Sequence, residues 1–372
     1  MLFVVLFVYG RRLFFSCYFD KKKAHLKRYI KIEMLFICFL FLLFGQALSW
    51  GAIGHNIIVH LAQSQLDNAT GEWIRSLTPW HWNGNLSAMA SWADDIFRPD
   101  TNPTEFANWL WSSALHFINT PDWACNYDYE RDCSNDRCAE GAIRNYTKRL
   151  EESFDEIQQK EALYFLIHFV GDIHQPLHTA FTTDRGGNSV KVQYMNSSYI
   201  TSLHSIWDSA MILTRIRRDF QGNNSLYYEH IFDLMLNQTS NENDTKISQW
   251  VDENLSFVCS QIYLDEQNST MNVSVNYTLG DIYYNRSIPI IEQRLALGGR
   301  RLRLLFQEIY QNRQTQPTPH SQDDKLCSGT IALIVVLSIE FFIAIIIGII
   351  VGLRFRKKRV QSRSFSYSPN QI

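Results

Sequence analysis

The chain has 372 residues, of which 46% are hydrophobic and 14% aromatic, enough to build one large hydrophobic core. Its formal net charge is −2, and residues 50–312 show no basic patch, so the composition does not favour recognition of a polyanion through a lysine- and arginine-rich surface of that region. The apolar residues are not spread evenly, and their distribution divides the chain into segments.

Residues 1–49 have the composition of a leader and signal peptide. A basic stretch at residues 21–31 precedes a short apolar run at residues 34–45, and Ala47-Leu48-Ser49 offers small residues where a signal peptidase cleaves. We therefore predict entry into the secretory pathway and cleavage before Trp50. Met34 is an alternative start of translation, which would make residues 1–33 an upstream extension without function.

Residues 50–312 form the predicted folded domain, which is mainly helical. Residues 53–66, 161–173 and 288–310 carry apolar side chains at helical spacing. A turn is predicted at Gly186-Gly187-Asn188-Ser189, and alternation at Val190, Val192 and Tyr194 then predicts a small β-ribbon. The expected inner stripe of the last helix is Ile291, Leu295, Leu297, Leu302, Leu305 and Ile309.

This domain also carries the marks of export. Twelve Asn-X-Ser/Thr sequons predict N-glycans over its surface. They begin at Asn68, Asn85, Asn145, Asn196, Asn223, Asn237, Asn243, Asn254, Asn268, Asn272, Asn276 and Asn285. Its four cysteines are an even number, which favours two disulfides in an oxidising compartment. The short Cys133–Cys138 loop is one candidate bridge and leaves Cys125 to pair with Cys259.

The C-terminal part reads as a membrane anchor. Residues 313–328 are mostly polar and form a predicted stalk, residues 329–353 form an apolar stretch long enough to cross a bilayer, and residues 354–372 form a tail that begins with a basic cluster. The positive-inside rule places this tail in the cytoplasm. We therefore predict a type I single-pass protein, with its folded domain extracellular or lumenal and the plasma membrane as the expected location. Three states of Cys327 fit the sequence: a free thiol, an acylated one or a disulfide between chains. Glu340, inside the apolar stretch, either contacts a partner helix or has no role.

A run of histidines and one aspartate predicts a metal site. His168 and Asp172 are four residues apart and share a helix face, while Pro176 cannot continue that helix and brings His178 back on a turn. The same spacing recurs at His204 and Asp208. Imidazole nitrogens and carboxylate oxygens are ligands that zinc favours, so the two pairs predict zinc.

Further motifs extend this pattern from Trp50 to about residue 312. They are Trp-Gly-x-x-Gly-His with His55, Ala-Ser-Trp-Ala-Asp with Asp94, His-Phe-Ile-Asn-Thr-Pro with His116, His-x-x-Gly-Asp-x-His-Gln-Pro-Leu-His, Gly-Gly-Asn, and Leu-His-x-x-Trp-Asp. In this order the motifs resemble the class I zinc-dependent nucleases, which comprise fungal and plant single-strand nucleases and protozoan surface 3′-nucleotidase/nucleases.

The resemblance implies a single α-helical domain of the trinuclear-zinc nuclease and phospholipase C type, with three Zn²⁺ ions per chain. One ion would be held by Asp94, His116, His168 and Asp172. A second would be held by His55, Asp172 and the α-amine and carbonyl of Trp50, and a third by His178, His204 and Asp208. Because the amine of Trp50 can ligate only as a free N-terminus, maturation would complete the site.

The implied activity is hydrolysis of single-stranded RNA and DNA to 5′-phosphorylated products, together with removal of the 3′-phosphate from 3′-nucleotides. Asp172 can bridge two ions, and zinc lowers the pKa of bound water from roughly 16 to about 7, so a metal-bound hydroxide would attack phosphorus. Asp94 and Asp172 are the predicted catalytic residues. At a cell surface, this activity would serve nucleic-acid degradation and purine salvage.

The resemblance also implies residues that contact the substrate. Phe117 would stack on an unpaired base, which explains a single-strand preference. Asn119 stands where many relatives have Asp and would help to read the base. Relatives often place an Arg three residues after the motif Asp, whereas Arg98 lies four residues after Asp94 and three after Asp95, so either carboxylate is a candidate ligand and Arg98 a candidate contact to the substrate. His174 matches no ligand position and is predicted to be structural.

Two alternative functions remain at this stage. A zinc phospholipase C would share the fold but use Glu at the position of Asp208. A non-enzymatic surface glycoprotein would have lost ligands, whereas every ligand has a candidate here. No protein partner can be inferred from the sequence.

Overall fold

The computed structural model describes residues 8–9, 12–13, 50–98, 103–238, 244, 246–316 and scattered helical positions between 337 and 350. The chain divides into residues 1–48 and residues 49–372. In the first unit, strands β1 (Val8–Tyr9) and β2 (Arg12–Leu13) pair antiparallel. The rest of the predicted signal peptide, the stalk beyond Gln316 and the tail lie outside the described residues.

The second unit is mainly helical with one small sheet, as the sequence predicts. Its α-helices are α1 (Ala52–Ser64), α2 (Asn68–Leu77), α3 (Trp92–Asp95), α4 (Pro103–Trp109), α5 (Tyr129–Asp132), α6 (Ala139–Glu152), α7 (Glu156–Asp172), α8 (Leu203–Ser205), α9 (Met211–Asp219), α10 (Asn224–Asn237), α11 (Ile247–Phe257) and α12 (Asp281–Thr315). Short 3₁₀ segments at Trp80–Trp82, Leu86–Met89, Leu110–His116, Ser134–Asp136 and Pro176–Thr179 and π-helical turns at Ile206–Ala210 and Val258–Ile262 connect or extend them.

Helix α7 runs through the centre of the domain. Asp155 caps its N-terminus by accepting a hydrogen bond from the backbone N–H of Gln158, and every residue from 165 to 172 is buried. The ring of Phe165 stacks on Tyr146 of α6 at 4.9 Å between centroids. The helix ends at Asp172, before Pro176, as predicted.

The last helix, α12, packs closely against α1. A Cβ on Gly299 would lie 2.6 Å from Cβ of Leu61, so only glycine permits this approach of the two helices. The helix begins at Asp281, two turns before the predicted start at residue 288, because Pro289 is accommodated inside it. Leu297 is only half-buried, unlike the rest of the predicted stripe.

The small sheet has three strands, β3 (Lys191–Tyr194), β4 (Thr201–Ser202) and β5 (Asn276–Leu279). Strand β3 is central, pairing antiparallel with β4 and parallel with β5. The ribbon predicted from the sequence therefore gains a third strand from a segment more than 70 residues away. Gly186 and Gly187 both have positive φ in the turn that precedes β3.

Two disulfides staple the domain with the pairing expected from the sequence. Cys125 is bonded to Cys259, and Cys133 to Cys138. Among the helical residues that the structure describes, no helix is long and apolar enough to cross a membrane. Most of the predicted anchor, residues 329–353, lies outside those residues.

Candidate metal centre

Helix α7 supplies the centre of the site. His168 and Asp172 lie on one of its faces and are fully buried, with Nε2 of His168 3.3 Å from Oδ2 of Asp172. His55 of α1 stacks its ring on His168 at 4.0 Å between centroids and places Nε2 3.3 Å from Oδ1 of Asp172. The two Asp172 oxygens thus face different imidazoles.

Gly171 makes this approach of His55 possible. A Cβ at position 171 would lie 2.3 Å from Nδ1 of His55, closer than any side chain tolerates. The glycine beside the central aspartate therefore has a steric reason, since α1 brings an imidazole against the backbone of α7 at this point.

Asp94 and His116 complete the group around His168. Oδ1 of Asp94 lies 3.5 Å from Nδ1 of His116 and 3.4 Å from Nε2 of His168. Nδ1 of His116 also lies 3.1 Å from Oδ2 of Asp172. The neighbouring Asp95 turns away, since it pairs with Arg98 at 3.4 Å and accepts a hydrogen bond from Ser91. The structure therefore directs Asp94, and not Asp95, at the imidazoles.

A second group of ligand atoms forms where the chain leaves α7. His178 lies on the 3₁₀ turn Pro176–Thr179, and His204 and Asp208 lie where α8 passes into the π-helical turn. Nε2 of His204 is 3.2 Å from Nε2 of His178 and 3.3 Å from Oδ2 of Asp208. Turns of π-helix are rare and occur often at functional sites.

Backbone carbonyls fix the orientation of three of these imidazoles. Nδ1 of His168 bonds to the carbonyl of Ala90 at 2.8 Å, Nδ1 of His178 to that of His116 at 2.7 Å, and Nδ1 of His204 to that of Gly186 at 2.6 Å. A hydrogen on each Nδ1 leaves the Nε2 lone pair directed into the site. This outward hydrogen bond is typical of histidines that bind metals.

The electrostatics of the buried groups fit a cation. Burial favours a raised pKa for Asp172, but the interactions of this carboxylate with the imidazoles of His168 and His178 outweigh burial and hold the pKa of Asp172 well below its usual range. Burial raises the pKa of Asp208 well above its usual range. Three carboxylate oxygens accept no hydrogen bond of good geometry: both oxygens of Asp172 and Oδ2 of Asp208. An imidazole nitrogen nevertheless lies within 3.3 Å of each of them. A bound metal ion would satisfy these buried oxygens.

Three groups in the described residues can each hold one ion. They are His55 with His168 and Asp172, Asp94 with His116 and His168, and His178 with His204 and Asp208. The S1/P1 nuclease family profile matches residues 50–311, which contain all three groups. The chain belongs to the S1/P1 nuclease family.

Individual relatives support this assignment over most of their length. Endonuclease 3 of Arabidopsis thaliana is 34% identical over 297 residues, which cover 76% of this chain and 96% of the relative. Nuclease P1 of Penicillium citrinum is 30% identical, covering 70% of this chain and 98% of the relative. Nuclease S1 of Aspergillus oryzae is also 30% identical, covering 68% of this chain and 89% of the relative.

Other residues predicted from the family resemblance lie around these groups. Trp50 is fully buried, and the backbone N–H of Gly51 donates to the carbonyl of Asp208 at 3.0 Å, so the start of the domain lies beside the His178 group. Phe117 is half-buried and Asn119 is exposed, on the segment that follows His116. Arg98 is 59% exposed beside Asp95.

His174 stands outside the three groups, as expected for a structural residue. Its Nδ1 bonds to the carbonyl of Val170 at 2.7 Å, and its Nε2 faces Arg301 of α12 at 3.3 Å. Burial and the charge of Arg301 lower the pKa of His174 well below its usual range. The residue is therefore a neutral imidazole that joins α7 to the last helix.

Sequence reasoning missed Gln175. Its side-chain Nε2 donates to Oδ1 of Asp208 at 2.6 Å, and its Oε1 accepts from the backbone N–H of Leu177 at 2.6 Å. This amide thus orients a carboxylate of the His178 group and shapes the turn that carries His178. The available signal was the position of Gln175 between the candidate ligands Asp172 and His178, next to Pro176.

Proposed function

We propose that this member of the S1/P1 nuclease family is a zinc-dependent phosphoesterase. It hydrolyses single-stranded RNA and DNA to 5′-phosphorylated products and removes the 3′-phosphate from 3′-nucleotides. The observation that carries the proposal is the convergence of three groups of imidazole nitrogens and carboxylate oxygens, each close enough together to hold one ion, around the buried residues His168, Asp172 and Asp208. The relatives are named endonucleases and nucleases, which supports cleavage of nucleic acid.

Three zinc ions per chain fit these groups. We assign Asp94, His116, His168 and Asp172 to the first, His55, Asp172 and the Trp50 terminus to the second, and His178, His204 and Asp208 to the third. When bound, zinc supplies Lewis acidity that activates water and offsets negative charge at the phosphate. Asp94 and Asp172 would act as the catalytic carboxylates by holding the ions in the site.

Substrate recognition is assigned to residues at the rim of the site. Phe117 stacks an unpaired base, because an aromatic ring offers every base the same apolar face. Asn119 both donates and accepts hydrogen bonds, and so contacts the base edge. Arg98 offers a guanidinium for a phosphate oxygen. A base paired in a duplex cannot reach such a platform, which favours single strands.

The direct test compares Asp172→Asn with the parent protein. Zinc content by mass spectrometry is expected to fall, and hydrolysis of single-stranded DNA and of 3′-AMP to fall by at least a hundredfold. Asp94→Asn should lose zinc and Asp95→Asn should retain it, because only Asp94 faces the imidazoles. Undiminished hydrolysis by exhaustively chelated protein would overturn the proposal, and turnover of phosphatidylcholine in place of DNA would indicate a phospholipase.

Maturation and location belong to the same proposal. Cleavage before Trp50 would free the α-amine that the second ion requires, and the N-terminal sequence of the mature protein should begin Trp-Gly-Ala-Ile. Residues 329–353 would anchor the domain as a type I membrane protein, with N-glycans on its exposed sequons. On the cell surface, the domain would degrade extracellular nucleic acid for purine salvage. Release of the intact protein by alkaline carbonate would contradict the anchor.

A further inference from the structure

One sequon differs from the others in its surroundings. Asn254, in Asn254-Leu255-Ser256, is 0% exposed, whereas every other sequon asparagine in the described residues is exposed. Asn254 lies on α11, whose neighbouring Leu255 is also buried. A glycan is attached to the side-chain nitrogen of asparagine, and this nitrogen is enclosed in the folded domain. A glycan on this nitrogen is therefore incompatible with the fold as the structure shows it.

The enclosed nitrogen has a defined acceptor. Nδ2 of Asn254 donates to the carbonyl of Ile173 at 2.7 Å, within the protein interior. Ile173 follows Asp172 directly and is the C-terminal cap of α7. The last carbonyls of a helix have no partner within the helix. In a continuing helix, the carbonyl of Ile173 would accept a hydrogen bond from the backbone N–H of Leu177. Here that N–H donates to the side chain of Gln175.

This carbonyl sits at the junction between the ligand groups. Asp172 precedes it on α7, and the turn that follows carries Gln175, which holds Asp208, and then His178. A shift of the Ile173 peptide would therefore move ligands of every group that uses Asp172, His178 or Asp208. The side chain of Asn254 fixes this peptide from a different helix.

Helix α11, which carries Asn254, is fixed by contacts with α12 and with His174, so it can hold the Ile173 peptide in place. Glu253 bonds to both Arg294 and Arg301 of α12, each at 2.7 Å, and Trp250 lies against the ring of His174 at 5.0 Å. The position of Asn254 is thus set by contacts on both sides.

We propose that Asn254 is a positioning residue of the metal centre and that its sequon remains unmodified in the active protein. The inference rests on the proposed function only in that the three groups bind ions. It assigns to α11, which contributes no ligand, control over the geometry at the end of α7.

Two substitutions separate the amide from the sequon. Asn254→Leu removes the donor at similar volume, and Ser256→Ala removes the sequon while leaving Asn254 in place. Ser256 is exposed, and within the described part of the chain its hydroxyl donates to the carbonyl of Glu253 in its own helix. Thr78→Val serves as a stability control, because it removes another buried hydrogen bond to a helix carbonyl, that of Ile74 at the end of α2.

The measurement is zinc loss to a competing chelator at a temperature well below unfolding, followed as metal content per chain. Loss of a group that orients metal ligands typically lowers affinity ~10–100-fold, so Asn254→Leu should release zinc at least tenfold faster. Ser256→Ala and Thr78→Val should release it at the parental rate. Equal release from Asn254→Leu and Thr78→Val would show a role in stability alone and overturn the positioning role.

Glycopeptide mapping of the wild-type protein provides an independent arm. The peptide containing Asn254 should be free of glycan, and a glycan found on it in the active protein would overturn the proposal even if Asn254→Leu failed to fold. If the parental protein holds no zinc, the proposed function fails as well. If it holds zinc and Asn254→Leu retains it equally, only the positioning role fails.

Discussion

At the scale of single residues, the site depends on glycine at position 171, where there is no room for a side chain. Gly171 lets His55 lie against α7, and a methyl group there would overlap the imidazole. We expect Gly171→Ala to displace His55 from Asp172, to reduce zinc content and to lower the hydrolysis of single-stranded DNA by at least tenfold. The ring cannot retreat easily, because it is stacked on His168.

Gly71→Ala is the matched control for this prediction. Gly71 is also inside a helix, but a Cβ there would meet only Cβ of Leu66 at an ordinary 3.8 Å. Replacing glycine by alanine in a helix stabilises by roughly 0.5–1 kcal/mol when there is room. Gly71→Ala should therefore keep zinc and activity. Full zinc content in Gly171→Ala would show that the fold can shift His55 without cost.

Sequence reasoning at this scale named candidate ligands, and it missed residues whose side chains contact them or the helix end beside them. Histidine and aspartate four residues apart form a recognisable pattern, so it was possible to predict His168, Asp172, His204 and Asp208 as candidate ligands. Gln175 and Asn254 act through residues distant in sequence, and a glutamine or a sequon asparagine has many commoner explanations. Only packing shows which amide faces a ligand or a helix end.

At the scale of helices, α12 and α11 form an ionic joint beneath the site. Glu253 is partly buried, which favours a raised pKa, but its bonds to Arg301 and Arg294 prevail and lower the pKa of Glu253 below its ordinary value. A lowered pKa in the folded state means that the joint contributes stability above the unfolded pKa of 4.5. That contribution is lost as pH falls through the lower, folded value.

We therefore expect Glu253→Gln to lower the melting temperature near neutral pH, with the difference from the parent shrinking as pH falls below about 4.5. Thermal unfolding of the chelated proteins across pH 7 to about 3 would test this without interference from zinc loss. Glu156→Gln, at the exposed start of α7, is the control and should follow the parental curve. A difference that grows toward acid would contradict the assigned sign.

Helix ends show what a pattern along the chain can and cannot predict. Pro176 stops α7 as expected, because proline cannot donate a hydrogen bond and disfavours helical backbone in the residue before it. The start of α12 was predicted seven residues too late, because the apolar pattern at residues 288–310 does not show that the helix continues back through Pro289 to Asp281. The π-helical turn at Ile206–Ala210 leaves no periodic signal in five residues.

At the scale of the whole molecule, the class and motif order were predictable, whereas the long-range pairings were only partly so. The cysteines could be paired by elimination once the short loop was chosen, and the structure has that pairing. Strand β5 was missed, because its exposed and half-buried residues give no alternation, and its partner β3 lies far away in sequence.

The two disulfides should contribute unequally to the stability of the domain. Cys125–Cys259 closes a loop with a sequence separation of 134, whereas Cys133–Cys138 closes one of 5. If a disulfide stabilises mainly by restricting the unfolded chain, these separations correspond to about 5 and about 2 kcal/mol. Replacing both cysteines of the long bridge by serine should therefore lower the free energy of unfolding by about 3 kcal/mol more than the same change in the short bridge.

Urea unfolding of the two double variants under oxidising conditions would measure this difference, with zinc removed from all samples so that ligand binding does not mask it. The Cys125–Cys259 bridge joins the segment after the His116 motif to the π-helical turn that follows α11. It therefore also holds α11, the helix that carries Asn254, near the site. Zinc release from the long-bridge variant should consequently quicken, while the short-bridge variant keeps the parental rate. A larger loss of stability from opening the short bridge would mean that strain or packing, and not chain entropy, sets the contribution of these bonds.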